Sequence, residues 1–431
     1  MSTIRPLAAI RYNTNASADL SSRIAPPYDV LDARDKQSLL SRDARNFVAV
    51  DLPHVPAKQL GPPEAYAAAA RTLKGWLADG ALVRDERPAI YVYSQRYTHA
   101  GRQYHRRKFF ARLRLEPFGK GSVFPHERTF GGPKEDRLAL MKATAANLSP
   151  IFGLYEDPDN AVAEHLGGAI GVKPLMHGTL EGVESCVWAV TDPAIIEACQ
   201  RIMATKSTYI ADGHHRYGTA LNYRDALIAV RGALPDEHPA NYVLCVFCAM
   251  EDAGLLILPT HRVLPGVNLT PQGSPSRELT ADPALAVEPL AAGNPADVVV
   301  RLSALGPQAI ALSDGRSFWS IRPKRVDVLD ALEPGRSAAW RRLGLAFLHA
   351  YVLERVVAPR VLAGREPEIH YVKSAADAVA EAAQTSGSVF LVQPTTMTEL
   401  RDVCRAADLM PQKSTYFFPK LASGLIVNPL E

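Results

Sequence analysis

Residues 207–225, STYIADGHHRYGTALNYRD, restrict the fold more than any other stretch of the chain. The β-branched and aromatic run STYIA reads as a strand. It breaks within five positions into an acid, a glycine, two histidines and an arginine, and helical apolar spacing then runs through RYGTALNYRDALIAVR. A strand passing into a helix through a glycine belongs to folds in which helices pack on a sheet, here α+β or mixed α/β. The helix N-terminus presents unpaired N–H groups and the positive end of its dipole, so the junction favours an anion, and phosphate above others.

The residue types suit that guest. Gly213 allows close backbone approach, Asp212 is expected to cap the helix, His214 and His215 offer ring N–H donors, and Arg216 can grip phosphate oxygens in a fork. The plainer reading is an Asp cap beside solvated histidines. Metal ligation is disfavoured, because adjacent helical residues diverge by about 100° and the pair lacks i, i+4 spacing; no metal ligand is assigned.

Four other segments carry chemistry. VFPHERTFGGPKEDRLALMK gathers His126, Glu127, Arg128, Lys134, Asp136, Arg137 and Lys142 about the expected turn Gly131-Gly132-Pro133. It reads either as an exposed loop entering a helix, LALMKATAAN, or as a clamp in which Lys134 and Arg137 hold a phosphoryl chain. The tail QKSTYFFPK offers Lys413, Ser414, Thr415 and Lys420, as a surface loop or as phosphate partners; no P-loop pattern is present. Asp29 follows Pro26-Pro27-Tyr28, a rigid turn, as an Asx-type residue or as a general base. His261 and Arg262 in LPTHRVL form a dyad that either returns to the same face or is fortuitous.

Composition limits the remaining classes. With 431 residues the chain should hold more than one lobe, divided here as 1–150, 151–264, a linker-rich insertion 265–345, and a C-terminal segment 346–431 that packs back on the site. In the first lobe Pro63 to Leu77 reads as a helix, and YVYSQRYT with RRKFFARLRL as a hairpin. AAWRRLGLAFLHAYVLERVV reads as one helix near residue 345. The 48 basic and 45 acidic residues give a net charge of +3, no global field for nucleic acid or an anionic membrane. No run reaches the roughly 20 apolar residues of a membrane span and no leader pattern opens the chain, so a cytoplasmic protein acting on a small molecule is expected. Five cysteines argue against a disulfide framework, and the C-x-x-C of YVLCVFCAM reads as a buried strand.

Taken together, RPLAAIRY, IAPPYDVL, PHERTFGGPKEDRLALMKATAANLSPIFGLYED, YIADGHHRYGTALNYR, MEDAGLLILPTHRVL and MPQKSTYFFPKLASGLIVNP resemble the bacterial and archaeal domain-of-unknown-function family 1015 over nearly the whole chain. The D-G-H-H-R string with Ala220 is also similar to the ParB and sulfiredoxin-like superfamily, in particular its free serine kinases. That resemblance implies a ParB/sulfiredoxin-like core with additional α/β elaborations. It implies that Asp212, Gly213, His214, His215 and Arg216 hold a phosphate donor; Lys134, Arg137, Lys413, Ser414, Thr415 and Lys420 are the further candidate donor contacts from the two loops above. The implied catalytic set is Asp29 as first base, Glu127 as second, and His215, with His126, His261 and Arg262 on the substrate. The implied reaction moves a phosphoryl group from ATP, ADP or pyrophosphate to a hydroxyl acceptor, free L-serine giving O-phosphoserine, with Mg²⁺ bridging donor oxygens. Competing readings are a nucleotide sensor, sulfiredoxin-like chemistry, for which histidine stands where a thiol is needed, and an inert interaction scaffold.

Overall fold

A computed structural model describes residues 2–15, 17–128, 131–291 and 293–431. The chain folds as two compact units, Met1–Leu256 with Pro419–Glu431, and Ile257–Phe418. The first is built on a nine-stranded mixed sheet. Its strands are β1 (Ile4–Arg5), β2 (Ile90–His99), β3 (Arg102–Arg114), β4 (Val123–Phe124), β5 (Ile151–Tyr155), β6 (Met176–Leu180), β7 (Val183–Val190), β8 (Thr208–Asp212) and β9 (Tyr242–Ala249). They run in the order β4-β8-β5-β9-β3-β2-β7-β6, with β1 also on β3. The pairs β4/β8 and β5/β9 are parallel and the other pairs antiparallel.

Local chemistry accounts for the main elements. The hairpin β2–β3 turns at Ala100 (φ 48) and Gly101 (φ 76), the left-handed pair whose twist matches the strands on either side. Along β3, Phe109, Ala111 and Leu113 enter a core shared with Val92, Cys245 and Phe247. The alternate residues Arg106 and Lys108 therefore point to the other face. Cys245 and Cys248 are buried free thiols on β9. Helix α1 (Pro63–Ala78) starts with proline at its first position, where a missing N–H costs nothing. Helices α2 (Gly131–Thr144), α3 (Ala161–Gly167), α4 (Pro193–Met203) and α5 (His214–Arg231) follow along the unit. Among the described residues no helix is long and apolar enough to cross a membrane.

The second unit holds a six-stranded sheet of β10 (His261–Leu264), β11 (Leu285–Pro289), β12 (Ile310–Ser313), β13 (Phe318–Pro323), β14 (His370–Val372) and β15 (Ser388–Leu391), in the order β11-β13-β12-β15-β10-β14.

Three expectations are corrected. Gly131-Gly132-Pro133 is not a loop turn but the first turn of α2; proline tolerates that position because first-turn N–H groups have no helical partner. Thr129 and Phe130 of the HERTF string lie outside the described residues. The span from Pro265 to Asp297 is not a linker, since it contributes β11 and places Leu269, Leu279 and Leu285 in the core. The single helix expected around residue 345 is broken into Ala338–Arg341, Gly344–Ala346 and a π-helical Phe347–Val357. At the break a Cβ on Gly344 would lie 2.7 Å from the Pro307 carbonyl, so the chain needs glycine there rather than a continuous helix face.

Candidate functional site

The junction of β8 and α5 is irregular where chemistry is expected. The pairing of β8 with β5 shifts between Ile210 and Asp212, a bulge that re-aims the strand end. Gly213 then takes φ 89, which carries the chain into α5 in the left-handed region, and no side chain caps the helix. Asp212 is therefore not the cap expected of it. Its carboxylate accepts from Lys420 Nζ at 2.7 Å and lies 3.6 Å from Arg216 Nη2, because two cations outcompete neutral N–H donors for it. Burial alone would raise the Asp212 carboxyl, but Lys420 and Arg216 outweigh that and hold it below the ordinary carboxylate range. Arg216 also donates to the Pro150 carbonyl.

Two buried histidines meet behind this junction. The His126 backbone N–H donates to His214 Nε2 at 3.2 Å, and the rings lie edge to face at 4.6 Å. A nitrogen that accepts is unprotonated, so neutral His214 carries its proton on Nδ1. His126 Nδ1 donates to the Ile210 carbonyl at 2.7 Å, because a carbonyl can only accept. Burial depresses both imidazoles, His214 well below its ordinary range, with His126 adding to the depression. Glu127 Oε1 stands 3.9 Å from His126 Nε2 and works the other way on His126. His215, half-buried on the first turn of α5, accepts at its carbonyl from Thr219 Oγ1 at 2.8 Å.

Helix α2 brings a cation to the second turn of α5. A Cβ on Gly218 of α5 would lie 3.0 Å from Lys134 Cε and 3.4 Å from its Nζ, so the bare glycine makes room for the lysine stem. The half-buried Lys134 makes no hydrogen bond or ion pair with the described residues. Arg137, one helical turn on, is engaged instead. Its Nε and Nη2 hold Asp136 Oδ2 at 2.8 Å, Nη1 donates to the Asp51 carbonyl at 2.6 Å, and the guanidinium stacks 3.9 Å over the Tyr28 ring.

Tyr28, Asp51, Arg137, Ser149 and Arg216 line one recess, about 380 Å³ counted with its open mouth. Tyr28 is 3% exposed, and its hydroxyl makes no hydrogen bond with the described residues. Ser149 Oγ donates to Asp51 Oδ2 at 2.5 Å. Asp29, next to Tyr28 on the same 3-10 turn, lies 3.9 Å from Lys58 Nζ and is partly open to solvent. Asp212, His214, His126, Arg216 and Lys420 thus form one connected set, with Lys134 over α5 and the Tyr28 turn reaching Arg216 through the recess.

Other expected residues belong to the second unit. Arg262, 0% exposed, donates to the carbonyls of Thr260, Gln412 and Lys413, and its Nε meets His349 Nε2 at 3.4 Å. His261 Nδ1 accepts from the Val392 N–H at 3.2 Å, and Ser414 Oγ donates to the Pro411 carbonyl at 2.5 Å. Lys413 takes φ 56 in the turn before Thr415. Sequence reasoning overlooked Tyr28, Asp51, Lys58 and Ser149, together with the buried Gln95, Arg106 and Lys108. The alternation of Arg106 and Lys108 against Phe109, Ala111 and Leu113 was the readable signal, since it places two charges on a strand face that a sheet of this size buries.

The profile of the family described as "Protein of unknown function (DUF1015)" matches residues 4–316. No curated protein matches the chain. Among solved structures, a free serine kinase variant in complex with ADP superposes at TM-score 0.34 with 12% identity, over 71% of this chain and 89% of that one. A conserved hypothetical protein from Pyrococcus furiosus gives TM-score 0.34 and 14% identity over 71% and 92%. A free serine kinase in complex with AMP gives 0.33 and 13% over 72% and 98%. At TM-scores this low the likenesses carry no argument about activity.

Proposed function

The chain belongs to the family described as "Protein of unknown function (DUF1015)", and from the geometry at the β8–α5 junction we propose that it transfers a phosphoryl group from a nucleotide or pyrophosphate donor to a small hydroxyl acceptor. One observation carries this reading: an eighteen-residue helix begins at a left-handed glycine with no side-chain cap, with Arg216 and Lys420 on the Asp212 carboxylate before it and the half-buried Lys134 against Gly218 in its second turn. A helix start without a side-chain cap, its dipole, and Arg216, Lys420 and Lys134 on the neighbouring turns suit a polyphosphate chain. The near balance of 48 basic and 45 acidic residues favours small-molecule chemistry over a DNA-coupled sensor.

The donor's terminal phosphate would accept from the first-turn N–H groups of α5, with Lys134 and Arg216 on its outer oxygens and His215 on the same turn. Asp212 keeps Lys420 and Arg216 oriented before the donor arrives. Neutral His214 and His126 hold the loop before α2 against the junction without adding charge. The acceptor would enter by the recess under Tyr28, whose hydroxyl is available to hold it, and Asp29 on that turn is the first choice to take the hydroxyl proton, Glu127 the second. Mg²⁺ would be held mostly by donor oxygens and water. Among the described residues no group of three His, Cys, Asp or Glu forms a metal cluster. The D-G-H-H-R resemblance supports free L-serine as acceptor and a ParB/sulfiredoxin-like core.

Phosphorus NMR with Mg²⁺, L-serine and, separately, ATP, ADP or pyrophosphate tests this. A serine-dependent phosphomonoester signal is expected, falling roughly 10²–10³-fold in Arg216→Ala, the range for loss of one transition-state donor. No new signal with any donor, while nucleotide still shifts the α5 amides, would replace the kinase with a sensor.

A further inference from the structure

Strand β3 buries two basic side chains side by side on the face opposite its apolar core residues: Arg106 is 0% and Lys108 3% exposed. Burial and the neighbouring Arg106 push the Lys108 amine well below its ordinary range, and its Nζ meets the Gln95 amide oxygen. Both side chains donate to one oxygen, Gln95 Oε1, Arg106 Nη2 at 2.5 Å and Lys108 through Nζ. An amide oxygen only accepts, so the orientation of the Gln95 amide is settled, and its Nε2 donates to the Lys420 carbonyl at 3.2 Å. Arg106 Nη2 also reaches the Pro419 carbonyl at 2.5 Å. Further along, Ala422 N–H meets Tyr93 Oη at 3.5 Å and Ser423 exchanges backbone bonds with Ala25. The backbone of 419–423 is thus tied to the sheet and to the N-terminal segment, while the Lys420 side chain leaves it and ends on Asp212 at 2.7 Å.

We propose that Arg106 and Gln95 are positioning residues that set Lys420 against Asp212, so that the β2–β3 hairpin governs the charge at the β8–α5 junction through a relay touching neither Asp212 nor the helix start. The competing account is that the cluster only stabilises the fold. Gln95→Glu separates the two. It sets a carboxylate beside Arg106 and Lys108, which preserves the fold, yet removes the N–H that holds the Lys420 carbonyl. The inference goes beyond the kinase reading and rests on it only in placing the donor at this junction.

The readout is the titration of Asp212 by ¹³C-carboxyl NMR, its signal assigned by its absence in Asp212→Asn. The groups facing that carboxylate are Lys420 on the C-terminal segment, Arg216 and His214 on α5, and His126 on the segment before α2. Lys420→Met should raise the Asp212 midpoint by roughly one to three pH units, the usual effect of removing an adjacent opposite charge. Gln95→Glu is expected to raise it toward that value, and to cause no further rise when added to Lys420→Met, as coupling through one residue requires. Gln95→Met, which introduces no charge, should behave alike and stands in if the first variant does not fold. A wild-type midpoint in the Gln95 variants, or an equal rise with and without Lys420, would overturn the proposal. No phosphoryl transfer is measured, so this result and the fate of the kinase reading are separable.

Discussion

Gly213 bears two constraints at once. Its φ of 89 is strained for any side chain, and a Cβ there would press to 3.0 Å on Arg216 Nε and 3.1 Å on Ile151 Cγ2. Gly213→Ala should therefore cost about 1–2 kcal/mol in urea unfolding and weaken nucleotide binding, because Arg216 must move. The histidine pair supplies a pH prediction. Burial depresses His214 and His126, so their neutral forms contribute stability fully above the ordinary histidine range and lose it as pH falls below about 6.5. ¹⁵N spectra at pH 6 should show both rings neutral with the proton on Nδ1; a protonated His214 at that pH would refute the hydrogen-bond assignment. Asp212 adds to the acid limb, since a carboxyl held below its ordinary range contributes stability that is present above about pH 4 and lost on further acidification.

Helices α2 and α5 meet where Lys134 crosses Gly218, and that crossing carries a prediction of its own. Gly218→Ala would displace the end of a flexible side chain rather than backbone, and alanine favours a helix interior over glycine. Thermal stability should hold or rise, while the KM for the donor increases about tenfold or more, the scale of one hydrogen bond to a charged group. An unchanged donor KM would remove Lys134 from the site. The helix α5 and its preceding strand were legible from residues 207–231, because β-branched and helical spacings are local. The start of α2 was not, because Gly131-Gly132-Pro133 carries turn composition although only neighbouring structure decides whether the chain coils there. The same limit hid the role of Arg137, whose charge suggested a phosphate clamp while packing gave it Asp136, the Asp51 carbonyl and the Tyr28 ring.

At the scale of the molecule, each unit has a core of its own. Residues 257–418 close a six-stranded sheet around Leu264, Leu312, Phe347 and Phe390, so this segment expressed alone should give a dispersed amide spectrum. Deletion of Pro419–Glu431 should instead unfold the first unit. The deletion removes the buried Ala422, Leu425, Ile426, Val427 and Leu430 and the pairing of Asn428–Pro429 with Ala146–Asn147. At about 1.5–3 kcal/mol per large buried side chain, the loss approaches the whole 5–15 kcal/mol stability of an ordinary domain. Retained near-ultraviolet dichroism from the first unit would contradict that.

The sequence by itself determined the strand, the glycine break and the helix of the junction, since propensity, periodicity and backbone freedom act over a few residues. It also marked Asp212 to Arg216 as an anion-favouring cluster. Only the tertiary structure decided that Asp212 faces Lys420, 208 positions away, that Tyr28 shares a recess with Arg216, and that Arg106 and Lys108 lie buried on one amide. Burial and ion pairing depend on what covers a side chain, and in this chain the covering segments come from opposite ends of the sequence.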